Sequence, residues 1–308
     1  MKNTYFIMKV KDGIIGLIIG DALGVPVEFT SRRELKKHPV TTMRGYGTYN
    51  QPPGTWSDDS AMALATMHSI VKKQGIDYDD IMGKFLEWLE DGKYMQVNKT
   101  FDIGNTTLDA IINYKYGTAP LKSGLCGNRD NGNGSLMRIL PLAYINDIDY
   151  ETIENVSALT HGHERSRIAC VLYIEMARSM LENEDLSMKE HIENANNKIK
   201  EYYKDSHELK HFNKIFNYDF DDLSGKGYVI YTFEVVVYCL LTTDNYKDAV
   251  LKAVNIGGDT DTNAAICGGL AGIYYGFDSI PIDWINQIDK IDKVLSLCEK
   301  FEAFCDES

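Results

Sequence analysis

The stretch Gly257-Gly258-Asp259-Thr260-Asp261-Thr262-Asn263, followed by the small-residue run Ala264-Ala265-Ile266-Cys267-Gly268-Gly269-Leu270-Ala271-Gly272, decides how this chain is read. A glycine pair closes one segment, and an apolar helical pattern begins immediately after two carboxylates and two hydroxyls. A helix start carries free N–H groups and a partial positive charge, so one acid there is ordinary capping. Two acids with hydroxyls beside them leave two readings open, a capping cluster on a buried helix or half of a binding site. The glycines at 268, 272 and 276 fit close helix packing inside a soluble core.

A second cluster of the same kind, Ser57-Asp58-Asp59, stands at another expected helix start far upstream. Local capping does not account for the repetition, whereas convergence of the two helix starts on one site does. Four clustered carboxylates cannot all stay ionised without compensating positive charge. Oxygen donors with no neighbouring Cys or paired His select hard cations such as Mg²⁺ or Mn²⁺ over zinc.

Working outward, Gly13 to Gly24 reads as a buried helix stopped near Pro26, and 29–55 as a long loop punctuated by Gly45, Gly47, Pro52, Pro53 and Gly54. Further helices are expected from Ser57, over Tyr78 to Leu89, Leu108 to Tyr114, Tyr150 to Leu159, Glu164 to Leu181 and Met188 to Tyr203. Others are expected over Tyr228 to Leu241, Tyr246 to Val254, Asp259 to Tyr275 and Ile291 to Phe304, with one more behind the turn-rich Gly127 to Gly134. Strand signals are scarce, and neither a repeat nor a linker divides the chain. One all-α domain spanning 1–308 is expected.

The chain has 308 residues, 44% of them hydrophobic and 25% charged, with a formal net charge of -13. That balance argues against a basic nucleic-acid-binding face or attraction to an anionic membrane. Six cysteines without a C-x-x-C pair do not form a disulfide framework, and Cys170, Cys239 and Cys267 lie in apolar helical patterns. A reducing cytoplasm fits. Lys2, Lys9 and Lys11 before an Ile-rich run loosely imitate a secretion signal, but the apolar core is short, broken by glycines and followed by Asp21. No membrane segment is expected, and a monomer is favoured.

Three other groups invite two readings each. Glu28, in an apolar context beyond Pro26, is either a desolvated acid suited to proton transfer or a solvent-facing loop residue. Asp21 fits a structural role, bonding backbone groups at the end of its helix. Gly132-Asn133-Gly134-Ser135 is either a plain turn or a run of backbone N–H groups suited to phosphate. His161 and His163 lack metal-ligand partners at helical spacing and read as capping or hydrogen-bonding residues.

Six segments in order, GDALGVPVEF at 20–29, GTWSDDS at 54–60, DIGNTT at 102–107, GNGSLMRILPLA at 132–143, LTHGHERS at 159–166 and NIGGDTDTNAAICGGLAGIYYG at 255–276, resemble the ADP-ribosylglycohydrolase family over nearly the whole chain. The resemblance implies an all-α compact, orthogonal multi-helix bundle with two Mg²⁺ or Mn²⁺ ions in a cleft. It places metal ligands at Ser57, Asp58, Asp59, Asp259, Asp261 and Thr262, with Ser57 standing where the family has threonine. It places catalytic groups at Glu28, Asp59 and Asp259, and ADP-ribose contacts at Asp102, Gly134, Ser135 and His161. Thr260 receives no metal. The implied activity is hydrolysis of the bond between ADP-ribose and an acceptor side chain, arginine on a protein being favoured. Serine-linked or other ADP-ribose adducts, and an idle ADP-ribose-binding protein, stand as the alternatives.

Overall fold

The computed structural model describes residues 10–307, so the N-terminal charges Lys2 and Lys9 lie outside the described residues. Fifteen α-helices are present among them: α1 Val10–Gly24, α2 Arg32–Lys37, α3 Asp58–Lys73, α4 Tyr78–Asp91, α5 Asn105–Lys115, α6 Pro120–Ser123, α7 Tyr150–Ala158, α8 Glu164–Glu182, α9 Met188–Tyr202, α10 Asn213–Phe216, α11 Val229–Leu241, α12 Tyr246–Asn255, α13 Thr260–Tyr275, α14 Ile282–Ile285 and α15 Ile291–Glu307. No strand forms among the described residues. Isolated bridges such as Leu125 with His161 and Gly132 with Tyr228 tie loops together. No helix among them is long and apolar enough to cross a membrane.

The centre of the fold is α1 against α13. Both are buried almost all round, which explains why neither shows a polar face. Their contact runs through residues four apart on each helix. A Cβ added at Gly16 would lie 2.3 Å from the Gly268 carbonyl oxygen, and one added at Gly20 would lie 2.1 Å from that of Ala264. Gly24 meets the backbone of Asp261 in the same way, and Gly272 meets the Asp12 carbonyl. Rising numbers on one helix meet falling numbers on the other, so the pair is antiparallel. The C-terminal end of α1 therefore lies beside the N-terminal end of α13. Side-chain-free surfaces let the two backbones approach to a separation that any Cβ would prevent.

One continuous apolar cluster extends from Val10 to Cys305 around this pair. Cys170, Cys239, Cys267 and Cys298 are buried thiols that pack as small apolar groups. Local signals set several helix starts. Asp77 caps α4, Asp149 caps α7, Asn245 caps α12, and Ser187 with Glu190 forms a reciprocal capping box on α9.

The structure departs from the sequence reading in several places: the short helices α6, α10 and α14 are not among those expected, and two longer segments differ. The segment behind Gly134 is not an α-helix but two 3₁₀ turns, Leu136–Arg138 and Leu140–Tyr144. Pro141 supplies no N–H and would clash inside an α-helix, so the ladder stops short. The long loop 29–55 contains α2, capped by Ser31, whose side chain accepts from the Glu34 N–H.

Candidate active site

The two acidic helix starts do converge. Ser57 is the N-cap of α3, and its hydroxyl accepts from the Asp59 N–H while donating to Asp59 Oδ2 at 2.8 Å. Thr262, in the first turn of α13, places its hydroxyl 3.4 Å from the same Asp59 oxygen. A side chain from each helix thus meets one carboxylate. Asp21, on α1, holds α3 in place. Its carboxylate accepts from the backbone N–H groups of Ser57 at 2.9 Å and Ser60 at 3.0 Å and from the Ser60 hydroxyl at 2.6 Å. The structural reading of Asp21 stands, with the difference that the backbone it bonds belongs to α3 and not to its own helix.

The turn before α13 depends on its glycines. Gly257 and Gly258 have φ of 81° and 85°, the left-handed region that glycine occupies without strain. This turn pairs with the Glu28 loop, Phe29 N–H donating to the Gly258 carbonyl and Gly258 N–H to that of Thr30. Glu28 is thereby held against the start of α13. Asp259 occupies the N-cap position yet makes no capping bond. Its Oδ2 instead accepts from the Asn133 amide at 2.8 Å. Capping therefore does not explain Asp259. The Thr260 hydroxyl is spent on the Gly24 carbonyl, to which it donates at 2.8 Å.

Asp21, Asp59 and Asp261 bring carboxylate oxygens within 4.8 Å of one another, and so do Glu28, Asp259 and Asp261. Asp59 and Asp261 are fully buried. Asp59 Oδ1 and Asp261 Oδ2 have no hydrogen-bond partner among the described residues. Orphaned carboxylate oxygens are costly unless something positive meets them. Burial first, and then repulsion from Asp102, hold Asp58 and Asp261 well above the usual carboxylate range. Asp59 is raised by burial and then by Asp21, and burial likewise raises Asp259. An all-oxygen set of this kind, short of positive charge, fits hard divalent cations.

Above this floor opens a cavity of about 370 Å³ lined by Glu28, Asp58, Asp102, Asp259 and Thr262 on the acidic side. The lining also includes Gly132 to Gly134, Met137, His161 and Gly227, of which Asn133 and Gly227 adjoin Asp259. Ser57, Asp59 and Asp261 lie behind the acidic wall and do not line the cavity. Glu28 is 5% exposed, and burial followed by repulsion from Asp102 pushes its carboxyl up to about 9. The Tyr49 hydroxyl lies 2.5 Å from Glu28 Oε2 and 2.6 Å from Asp102 Oδ1. One phenol carries one proton, so the two short contacts require a second proton on a carboxyl. Its shifted position makes Glu28 the holder. Glu28 thus faces the cavity and not open solvent.

His161 packs on the glycine loop. A Cβ at Gly134 would lie 2.8 Å from its Cε1. Burial, reinforced by Arg138, lowers the His161 imidazole to about 3. Ser135 is placed differently from the sequence expectation. Its hydroxyl points into the core, accepting from Ser157 at 2.9 Å and lying 3.4 Å from Cys170, away from the cavity. The phosphate argument from a helix start also lapses at this loop, because only a three-residue 3₁₀ turn follows and the Asn133 N–H is spent on the Gly227 carbonyl. His163 caps α8 by accepting from the Arg165 N–H.

Sequence reasoning missed Tyr49, Asn133 and the strap at Gly225 to Gly227, whose Gly225 carbonyl accepts from the Asp259 N–H. Asn133 was visible inside the glycine loop. Nothing local distinguishes Tyr49 or the strap, which reach the site only through tertiary packing.

The family described as ADP-ribosylglycohydrolase matches residues 1–307. The chain is 32% identical to the ADP-ribosyl-[dinitrogen reductase] glycohydrolase of Rhodospirillum rubrum, over 89% of this chain and 88% of that protein. It is 28% identical to the ADP-ribosylarginine hydrolase Tri1 of Serratia proteamaculans strain 568, over 95% of this chain and 78% of that one. A solved structure named ADP-ribosylglycohydrolase-related protein complex superposes with a TM-score of 0.82 at 26% identity, covering 97% of this chain and 99% of the other. The chain belongs to the ADP-ribosylglycohydrolase family, hydrolases acting on glycosidic bonds of ADP-ribose.

Proposed function

We propose that this protein is a metal-dependent hydrolase that cleaves mono-ADP-ribose from arginine side chains of modified proteins and releases free ADP-ribose. The observation that carries the reading is the pair of orphaned, buried oxygens on Asp59 and Asp261 beside a cavity lined by acids, a glycine loop and His161. Relatives named as ADP-ribosylarginine hydrolases support the choice of acceptor.

In this reading Ser57, Asp58, Asp59, Asp259, Asp261 and Thr262 would hold two Mg²⁺ or Mn²⁺ ions. When bound, such cations would compensate the buried charge and orient a water and the ribose hydroxyls. The remaining work falls to the chain. Cleavage at the anomeric carbon develops positive charge on the ribose, which the carboxylates of Asp102 and Asp259 at the cavity wall would stabilise. Glu28, protonated and held through Tyr49, would give its proton to the departing guanidine nitrogen and then take one from water. Asp59, behind the wall, would serve as a ligand. Gly134 and His161 would face the diphosphate and distal sugar.

The test is release of ADP-ribose from arginine- and serine-modified peptides in Mg²⁺, Mn²⁺ or chelator. Arginine-linked release that chelation stops is the expected result. Release from the serine peptide alone would replace the acceptor, and release from neither under any condition would remove the hydrolase reading. Asp259→Ala should abolish turnover.

A further inference from the structure

Arg138 stands out as a buried cation without a carboxylate. It is 0% exposed, and no ion pair to it is found among the described residues. Its guanidinium carbon lies 4.7 Å from the centre of the Phe85 ring. One nitrogen, Nη2, donates to the Val156 carbonyl at 3.0 Å and to the Thr160 hydroxyl at 2.9 Å. Nε and Nη1 find no acceptor among the described residues. Burying such a charge without a counter-ion is expensive, and the arrangement calls for a role beyond packing.

The Thr160 hydroxyl supplies the direction of the argument. A guanidinium only donates, so Thr160 Oγ1 is the acceptor in that bond. Its own proton then needs an acceptor, and the neighbour within reach is His161 Nδ1 at 2.9 Å. No other acceptor for this hydroxyl is found among the described residues. Were Nδ1 protonated, two donors would converge on Oγ1 and the buried hydroxyl proton would be stranded, at a penalty of roughly one hydrogen bond. Nδ1 is therefore the bare nitrogen. The positive charge of Arg138 also opposes a second proton on the ring. That leaves a neutral imidazole with its proton on Nε2. This edge of the ring lies against Gly132 and Gly134, 3.5 Å and 3.3 Å from where Cβ atoms would sit, on the cavity wall. The absence of side chains at both glycines keeps that N–H uncovered.

We propose that Arg138 and Thr160 are positioning residues that lock His161 in the neutral Nε2–H tautomer and so make it a fixed hydrogen-bond donor to an oxygen of the bound ADP-ribose. The ligand rests on the functional reading above; the tautomer does not. A locked donor suits an anionic or hydroxyl oxygen, since it needs no proton uptake and no ring flip when ligand arrives.

The full chain, kept in Mg²⁺ and labelled with ¹⁵N-histidine, tests this directly, with the His161 signals assigned by their loss in His161→Gln. The unsubstituted protein should show a protonated Nε2 and a bare Nδ1 before any ligand is added. Thr160→Val keeps the shape and removes the hydroxyl, and should mix the tautomers and weaken ADP-ribose binding roughly 5- to 10-fold by calorimetry. Thr160→Ser should restore both readouts, which lost packing alone would not predict. A protonated Nδ1 in the unsubstituted protein, or a Thr160→Val spectrum identical to it, overturns the proposal. Absence of ADP-ribose binding by the unsubstituted protein instead overturns the ligand assignment, and the spectrum still decides the tautomer.

Discussion

Removing divalent cations and returning them should change the stability of this protein in a direction set by its buried acids. In the cation-free chain burial holds Asp58, Asp59 and Asp261 well above the usual carboxylate range, and Glu28 reaches about 9. In the unfolded chain the same groups titrate at about 3.9 to 4.3. Between those limits the folded state keeps protons that the unfolded state has released, so the stability of the cation-free protein falls as pH rises from about 4 toward 9. A cation opposes this trend because it binds the deprotonated ligands. One site at a free cation concentration 100-fold above Kd adds about 2.7 kcal/mol. At about 2 °C per kcal/mol, the low end expected for a large chain, the midpoint rises by roughly 5 °C. The gain should be largest near pH 8 and shrink at pH 5.5, where protons compete for the same oxygens. Thermal unfolding of chelated protein, with Mg²⁺ or Mn²⁺ added back at both pH values, makes the measurement. No rise with either ion at pH 8, or a larger rise at pH 5.5, would refute the reasoning. Asp261→Asn is the internal control. Its amide matches a protonated carboxyl in shape and releases no proton on unfolding, so the chelated variant should melt above the parent at pH 8, close to it near pH 4, and lose the cation-dependent rise.

The remaining predictions concern the walls of the site and the helix pair beneath it. Tyr49→Phe keeps the ring against Phe101, centroids 5.0 Å apart, and deletes the hydroxyl between Glu28 and Asp102. Its kcat should fall about 10-fold or more with little change in melting temperature, and an unchanged kcat would remove Tyr49 from proton handling. Asn133→Ala frees Asp259 Oδ2 and leaves Thr232 without its amide partner. Steady-state kinetics in titrated Mn²⁺ should show a higher cation requirement, and the same half-saturating concentration as the parent would count against a positioning role. Gly268→Val drives a side chain into the Gly16 carbonyl, 2.3 Å from the nearest possible Cβ. Denaturant unfolding should show a loss of about 3 kcal/mol or more, at the upper end of overpacking costs, and a loss under 1 kcal/mol would mean that α1 and α13 can part freely.

The acidic clusters, their helix-start positions and the glycine spacing of α1 and α13 were determined by the sequence alone, because capping chemistry, apolar periodicity and small-residue runs are local. The oxygen-rich composition of Ser57 to Asp59 and Asp259 to Thr262 already implied a hard cation in place of zinc. Tertiary structure decided the rest. The antiparallel approach of two backbones through Gly16 and Gly268 sets the end of α1 beside the start of α13, and only then do Glu28 and Asp21 join the cluster. Ser135 looked like part of a binding loop, but packing turned its hydroxyl into the core toward Ser157. Tyr49 lay in an unremarkable loop, and folding set its phenol between two acids. A local pattern records which groups a segment carries. Which of their atoms lose water, and which meet one another, depends on contacts between residues hundreds of positions apart, such as the 2.7 Å bond from Tyr246 to the carbonyl of Gly16.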